Sequence, residues 1–250
     1  MTWGTDYSLT DGSAVGKVSW SDASIGRVAA PLRDQVFGVL RQAILDFSLK
    51  PGQRLIEREI IEKLEVSRTT VREAIGRLAA EGLVTIIPQK GAVVSVLTVE
   101  DARDVYEMRA SLESLAVRRF VERATPEQVR WLRSSLHDIE RAVEATVHTH
   151  EELRVKDEFY KVVFAGAASP VLVQILTGLQ GRVQALRAMS LSVPGRSAEM
   201  VEEIRAVVEA IEDGDATRAA SACETHVRNA ARTGLARLAA PDADALTETA

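Results

Sequence analysis

The segment from Glu57 to Gly91 limits what this chain can become more than any other part of it. It reads EREIIEKLEVSRTTVREAIGRLAAEGLVTIIPQKG. This is a short amphipathic helix, a turn at Leu64-Glu65-Val66, a second helix from Ser67, and two β-branched runs on either side of Pro88-Gln89-Lys90-Gly91. In the second helix Val71, Ala74, Ile75 and Leu78 share about 100° of arc and form a core stripe, while Arg68, Thr69, Arg72 and Gly76 share the neighbouring ~100°. Ser67 stands where an N-cap belongs, with a hydroxyl able to accept an orphan amide of the first turn.

A polar stripe at the amino end of a capped helix is the part that enters the major groove in helix-turn-helix proteins. Arginines four apart can reach guanine O6 and N7, and serine or threonine hydroxyls suit phosphates and thymine edges. The competing reading of Arg68 and Arg72 is a charged face in water. The hairpin that follows favours DNA, because Leu83 to Ile87 and Ala92 to Val96 are strand-like and Lys90-Gly91 at the tip would set a cation and bare backbone against a sugar-phosphate chain.

From about Leu32 to Val96 these residues resemble the amino-terminal winged helix of the GntR family of bacterial transcription regulators. LRxAIxxxxLKPGxRL is present as LRQAILDFSLKPGQRL, and ERExxxxLxVSRTTVREAxxRLAxEGLV covers the two helices. The resemblance implies that Arg58, Ser67, Arg68, Thr69, Arg72 and Gly91 occupy operator-contact positions. Glu65 departs from the family, which commonly has glycine in that turn. A left-handed backbone there would cost a residue with a β-carbon about 1 kcal/mol.

The net charge of −5 argues against a nucleic-acid partner until the chain is divided. Residues 29–97 carry +2, residues 98–250 carry −6 and the first 28 carry −1. A weakly basic reader beside an acidic partner domain should hold non-specific DNA poorly and depend on specific contacts. Cys223 is the only cysteine, which excludes an internal disulfide framework and a thiolate zinc cage. No apolar run approaches the length of a membrane span, and the first residues lack a basic-then-apolar signal pattern, so no membrane partner and a cytoplasmic location are expected.

Four regions are predicted. Residues 1–28, with Trp3 and Trp20 in a Gly, Ser, Thr and Asp background, read as a disordered or loosely docked extension. Residues 29–97 are the winged helix, whose first helix starts near Pro31, buries Val36, Val39, Leu40 and Ala43, and is stopped by Lys50-Pro51-Gly52. Residues 98–240 are all-helical, with six helices at about 99–123, 126–145, 147–167, 170–191, 197–213 and 215–237, the first opened by the acid-rich turn Thr98-Val99-Glu100-Asp101. Residues 241–250 are a flexible tail. The fold class is mainly α, a winged helix-turn-helix followed by a helical bundle. The third bundle helix is apolar through Val155, Phe159, Val162 and Val163 and again through Leu153, Tyr160, Phe164 and Ala167, which places it at the bundle centre.

The order and lengths of these helices, with YEMRASLESLAVR, DEFY, AASPVL and IRAVVEAIEDGDATRAASACETHV, resemble the FCD effector-binding domain of the FadR-like branch of the GntR family. Many FCD domains hold a divalent metal through an Asp and a His on the third helix and two His on the last two. The resemblance puts those positions at Lys156, Tyr160, Ile204 and His226. Lysine and isoleucine cannot stand in for a carboxylate and an imidazole, so neither metal nor other cofactor is expected. A slip of one residue would bring Asp157 beside His226 as a weak ion site.

His226 lies near the apolar stripe of Ala219, Ala220, Cys223, Val227 and Ala230, and is read either as an inward histidine bonded to a neighbour or as part of an effector pocket. His137, His148 and His150 read as surface residues. Arg109 shares a face with Val105, Leu112 and Ala116 and must be paired, either with an internal carboxylate or with a carboxylate or phosphate effector. Tyr160, Ser169, Arg182 and Arg187 are further pocket candidates, the last two of which could instead face solvent. The expectation is a homodimeric, ligand-responsive regulator, a repressor of a palindromic operator whose DNA affinity follows a small carboxylate-bearing metabolite. The alternative is a helical-bundle enzyme or metal-dependent sensor that uses the winged helix for assembly. It lacks any visible catalytic constellation.

Overall fold

The structure, a computed structural model, describes residues 31–145 and 149–240. The extension at 1–28 with its tryptophans, the tail at 241–250, His148 and the side chain of His150 lie outside the described residues.

Helix α1 (Leu32–Leu45) follows Pro31 and buries Val36, Leu40 and Ala43. It ends five residues before Lys50-Pro51-Gly52, earlier than those stop signals suggest. The reason is local: Phe47 takes φ 61° and the Ser48 amide is caught by Asp46 Oδ1 at 3.0 Å, which turns the chain at once. Strand β1 (Arg54–Leu55), α2 (Glu57–Leu64), α3 (Arg68–Ala80), β2 (Val84–Ile87) and β3 (Gly91–Val94) complete the winged helix. The sheet has the order β1-β3-β2, antiparallel throughout, with Leu55 opposite Ala92 and Val84 opposite Val94. Strand β1 is too short for periodicity to reveal, and only its pairing with β3 defines it.

Seven helices follow: α4 (Val99–Arg123), α5 (Pro126–Glu144), α6 (Thr149–Ala167), α7 (Pro170–Gly178), α8 (Gln180–Leu191), α9 (Arg196–Glu212) and α10 (Ala216–Ala239). Capping boxes at Thr98 with Asp101 and at Thr125 with Gln128 open α4 and α5. The single helix expected at 170–191 is divided at Leu179. The cause is a packing demand at Gly181, where a β-carbon would lie 2.1 Å from the Glu81 carbonyl oxygen. The chain breaks there so that the start of α8 can sit directly on the turn after α3.

The hub of the bundle is α4, which touches α6, α7, α8, α9 and α10. The third bundle helix, α6, packs on α4, α5 and α8, reaches α10 through Lys156 and His226, and buries residues on both of its apolar sides. On the second apolar side of α6, Leu153 and Ala167 join the core, and Tyr160 and Phe164 also line a cavity.

Candidate functional site

The candidate DNA-facing surface is built by α2, α3 and the wing. Val71, Ala74, Ile75 and Leu78 anchor α3 in the core, and Arg68, Thr69 and Arg72 are left exposed on the opposite side. Ser67 is the N-cap and its Oγ accepts from the Thr70 amide at 3.2 Å. Glu65, the C-cap of α2, does take the left-handed conformation, with φ 52° and ψ 42°. Arg72 Nε donates to Glu57 Oε1 at 3.2 Å, and Arg58 lies 3.7 Å from Glu62. Each cation thus has an acid beside it at the surface. Lys90 and Gly91 are exposed at the wing tip, where Gln89 and Gly91 take φ 66° and 87°.

One cation at this tip is missed by the sequence reading. Arg54 on β1 is exposed, and its guanidinium is the nearest group to a β-carbon built at Gly91, at 3.8 Å. It reaches the wing only through the pairing of β1 with β3, which no local pattern announces.

The second site is a partly open cleft in the bundle. A cavity of about 390 Å³ has Phe164, Val173, Leu176 and Val183 on its apolar side and Glu113, Asp157, Tyr160 and Arg187 on its polar side. Arg109 is fully buried and its Nε donates to Glu113 Oε1 at 2.9 Å. Arg187 donates through Nη1 to Asp157 Oδ1 at 3.2 Å, lies 3.6 Å from Glu113, and stacks its guanidinium on the Tyr160 ring at 4.2 Å. Burial alone would raise the Glu113 pKa, but Arg109 and Arg187 outweigh it and hold the carboxyl at about 2. Burial pushes the Tyr160 phenol well above its usual range, so it stays neutral.

Behind this layer runs a polar chain. Lys156 Nζ and His226 Nε2 are 3.1 Å apart, and His226 Nδ1 is 2.6 Å from Glu203 Oε2. Burial first, then the Lys156 charge, lowers the His226 pKa to about 3. The ring is therefore neutral, donating from Nδ1 to Glu203 and accepting from Lys156 at Nε2. Arg196 and Asn229 also donate to Glu203, at 2.6 and 2.8 Å.

Of the pocket candidates, the structure brings Tyr160 and Arg187 to the cavity wall and Arg109 and His226 to the layer behind it. Two are elsewhere. Ser169 is the N-cap residue of α7, and its Oγ accepts from Arg119 Nη1 at 2.6 Å. Arg182 is exposed and lies against Gly82 at the contact with the winged helix. Asp157 sits with Arg187, Gln184 and Arg41 rather than beside His226, so the one-residue slip is not realised. Ile204 is buried, and His137 is exposed. Glu113, one turn after Arg109 on the same inward face, was open to inference from the i,i+4 spacing; Arg196 and Glu203 stand two turns apart on α9, but His226 and Asn229 reach Glu203 only through packing of α10.

The two sites are joined through α8. Gly181 and Arg182 at its start rest on Glu81 and Gly82, the turn that ends α3, and Gln184 and Arg187 further along reach Asp157 at the cavity. Asp157 also lies 3.7 Å from Arg41 of α1. Among the described residues no helix is long and apolar enough to cross a membrane.

Residues 104–229, half of the chain, match the FCD domain, and residues 32–94 match the bacterial regulatory proteins of the gntR family. The Nta operon transcriptional regulator of Aminobacter aminovorans is 32% identical over 143 residues, 57% of this chain and 67% of that protein. The HTH-type transcriptional repressor RspR of Escherichia coli is 27% identical over 192 residues, 76% of this chain and 84% of that one. Among solved structures, E. coli McbR/YncC shares the fold with a TM-score of 0.66 at 24% identity, covering 84% of this chain and 97% of its own. A GntR regulator from Rhodococcus sp. RHA1 does so with a TM-score of 0.66 at 22% identity, covering 82% and 97%. With a helix-turn-helix and wing at one end and an FCD bundle holding a mostly apolar cavity at the other, this chain belongs to the GntR family of bacterial transcription regulators, DNA-binding proteins that are not enzymes.

Proposed function

We propose that the protein acts in the bacterial cytoplasm as a homodimeric repressor of a pseudo-palindromic operator, with a small carboxylate-bearing metabolite in the bundle cavity setting its affinity for DNA. The observation that carries the ligand dependence is the position of α8. One end of it seats the turn that closes the recognition helix α3, and its middle supplies Arg187 to the cavity. A ligand that takes Arg187 competes with Asp157, and Asp157 is also the partner of Arg41 in the winged helix. Ligand binding and head position are therefore two readings of one ion-pair network.

Dimerisation is supported by an apolar face. Met108 and Leu115 on α4 and Val171 and Ile175 on α7 are exposed at 40, 38, 69 and 48%, and these two helices are in contact. A second copy of the chain would bury that face and place two α3 helices on one duplex, as half-sites about one helical turn apart require. The reading as a repressor draws on the relative from E. coli, which is described as one.

The test uses a duplex selected by the protein from a random-sequence library. Sedimentation should give two chains per duplex, and a small carboxylate should shift the DNA dissociation constant about tenfold, as 1.4 kcal/mol of coupling requires. Arg41→Ala should keep DNA binding and lose the ligand's effect. One chain per duplex, or a ligand effect that survives in Arg41→Ala, contradicts the reading.

A further inference from the structure

The positions at which FCD domains hold their metal do not fit one in this chain. Three are Lys156, Tyr160 and Ile204, and the lone pair of the fourth, His226 Nε2, already faces Lys156 Nζ at 3.1 Å. Ile204 offers no donor atom, and the neutral phenol of Tyr160 lies under the Arg187 guanidinium. A divalent ion needs three or four carboxylate, imidazole or thiolate donors. Among the described residues no group of three or more His, Cys, Asp or Glu could hold one.

The cluster instead has a surplus of donors. Arg109 Nη1 and Nη2, Arg187 Nε, and Arg196 Nε and Nη1 are all buried without a hydrogen-bond acceptor. Arg109, Lys156 and Arg187 gather around Glu113 and Asp157, while Arg196 is paired with Glu203 and Glu199. Buried donors lacking acceptors cost free energy, and one anionic group with two acceptor oxygens would satisfy several of them together. Beside Arg187 the cavity continues along Phe164, Val173, Leu176 and Val183, which suits an apolar body.

We propose that this bundle recognises a monocarboxylate with an aromatic or branched aliphatic body without any divalent metal, the carboxylate taking Arg187 at the cavity wall while Arg109 and Lys156 in the layer behind supply the positive charge a metal would otherwise supply. This rests on the ligand-responsive reading above, and the two can fail separately. An effector that releases DNA only with a bound metal ends this inference and leaves that reading standing. Acids that bind metal-free without altering DNA affinity do the reverse.

The experiment is calorimetry on the full chain after dialysis against EDTA, with benzoate, 4-methylpentanoate and citrate as probes, beside metal analysis of the untreated protein. Benzoate or 4-methylpentanoate should bind at one per chain and citrate more weakly. Lys156→Met and Arg187→Met should each weaken the better acid about ten- to a hundredfold. A variant combining Lys156→Asp, Tyr160→His and Ile204→His should gain EDTA-reversible zinc binding that the natural chain lacks. Metal at one per chain in the natural protein, loss of acid binding on EDTA treatment, binding of neither apolar acid, tightest binding of citrate, or unchanged acid affinity in Lys156→Met would each overturn the proposal.

Discussion

Arg68 and Arg72 illustrate how much a single side chain's direction decides. Their register against Val71, Ala74, Ile75 and Leu78 leaves them outside, and with bidentate reach to guanine each should contribute about 1 to 3 kcal/mol to a specific site. Arg72→Ala should therefore weaken binding to a selected duplex by roughly ten- to a hundredfold with little change in thermal stability. Arg72 is also tethered to Glu57. Glu57→Gln should loosen that tether and remove an acid from the interface, raising non-specific affinity and steepening its salt dependence, measurable as the slope against salt concentration. Glu65 carries a left-handed backbone that the family commonly gives to glycine. Glu65→Gly should be neutral to stabilising by up to about 1 kcal/mol in thermal unfolding, since relief of the β-carbon is partly offset by the added freedom of the unfolded chain. Arg68, Arg72 and Glu65 were legible in the sequence because helical periodicity and capping are local, whereas the Glu57–Arg72 pair was seen only in the structure. Arg54 and Glu203 were not readable in the same way, since their surroundings are assembled by strand pairing and helix packing across long stretches of chain, and Arg187, named as a pocket candidate, could equally have faced solvent.

At the scale of elements, the turn, caps and hairpin of the winged helix were readable almost residue by residue, whereas α7 and α8 were expected as one helix. No strong helix breaker marks Leu179, and the division serves a contact with Glu81 far away in sequence. Filling that contact should be severe: Gly181→Ala would press a methyl group onto a carbonyl oxygen and separate α8 from the end of α3. DNA affinity should then respond less to any ligand, while the far-ultraviolet circular dichroism stays helical. The exposed apolar pair on α7 belongs to this scale too. Ile175→Glu should shift the protein from dimer to monomer in sedimentation, and should weaken operator binding more than non-specific binding, because only the former needs two heads in register.

For the molecule as a whole, burial of charge in the bundle makes stability depend on pH. His226 titrates at about 3 in the folded chain against 6.5 unfolded, and Glu113 and Glu203 at about 2 against 4.5. Each binds fewer protons folded than unfolded, so each contributes stability that is lost as pH falls, between about 6.5 and 3 for the histidine and between 4.5 and 2 for the carboxylates. The melting temperature should fall from pH 7 to pH 4, and His226→Gln should flatten the part of that fall between pH 6.5 and 4.5. The same network links the two domains, with α8 and Asp157 as shared parts, so the cavity and the DNA face should answer to one another. The most direct measurement of the central claim is anisotropy with a library-selected duplex, comparing the natural chain with Arg68→Ala, Arg72→Ala and their combination. The expected result is a loss of specific affinity of about tenfold or more in each single variant, larger in the double variant, with folding intact. Unchanged affinity in all three would contradict the placement of α3 in the major groove.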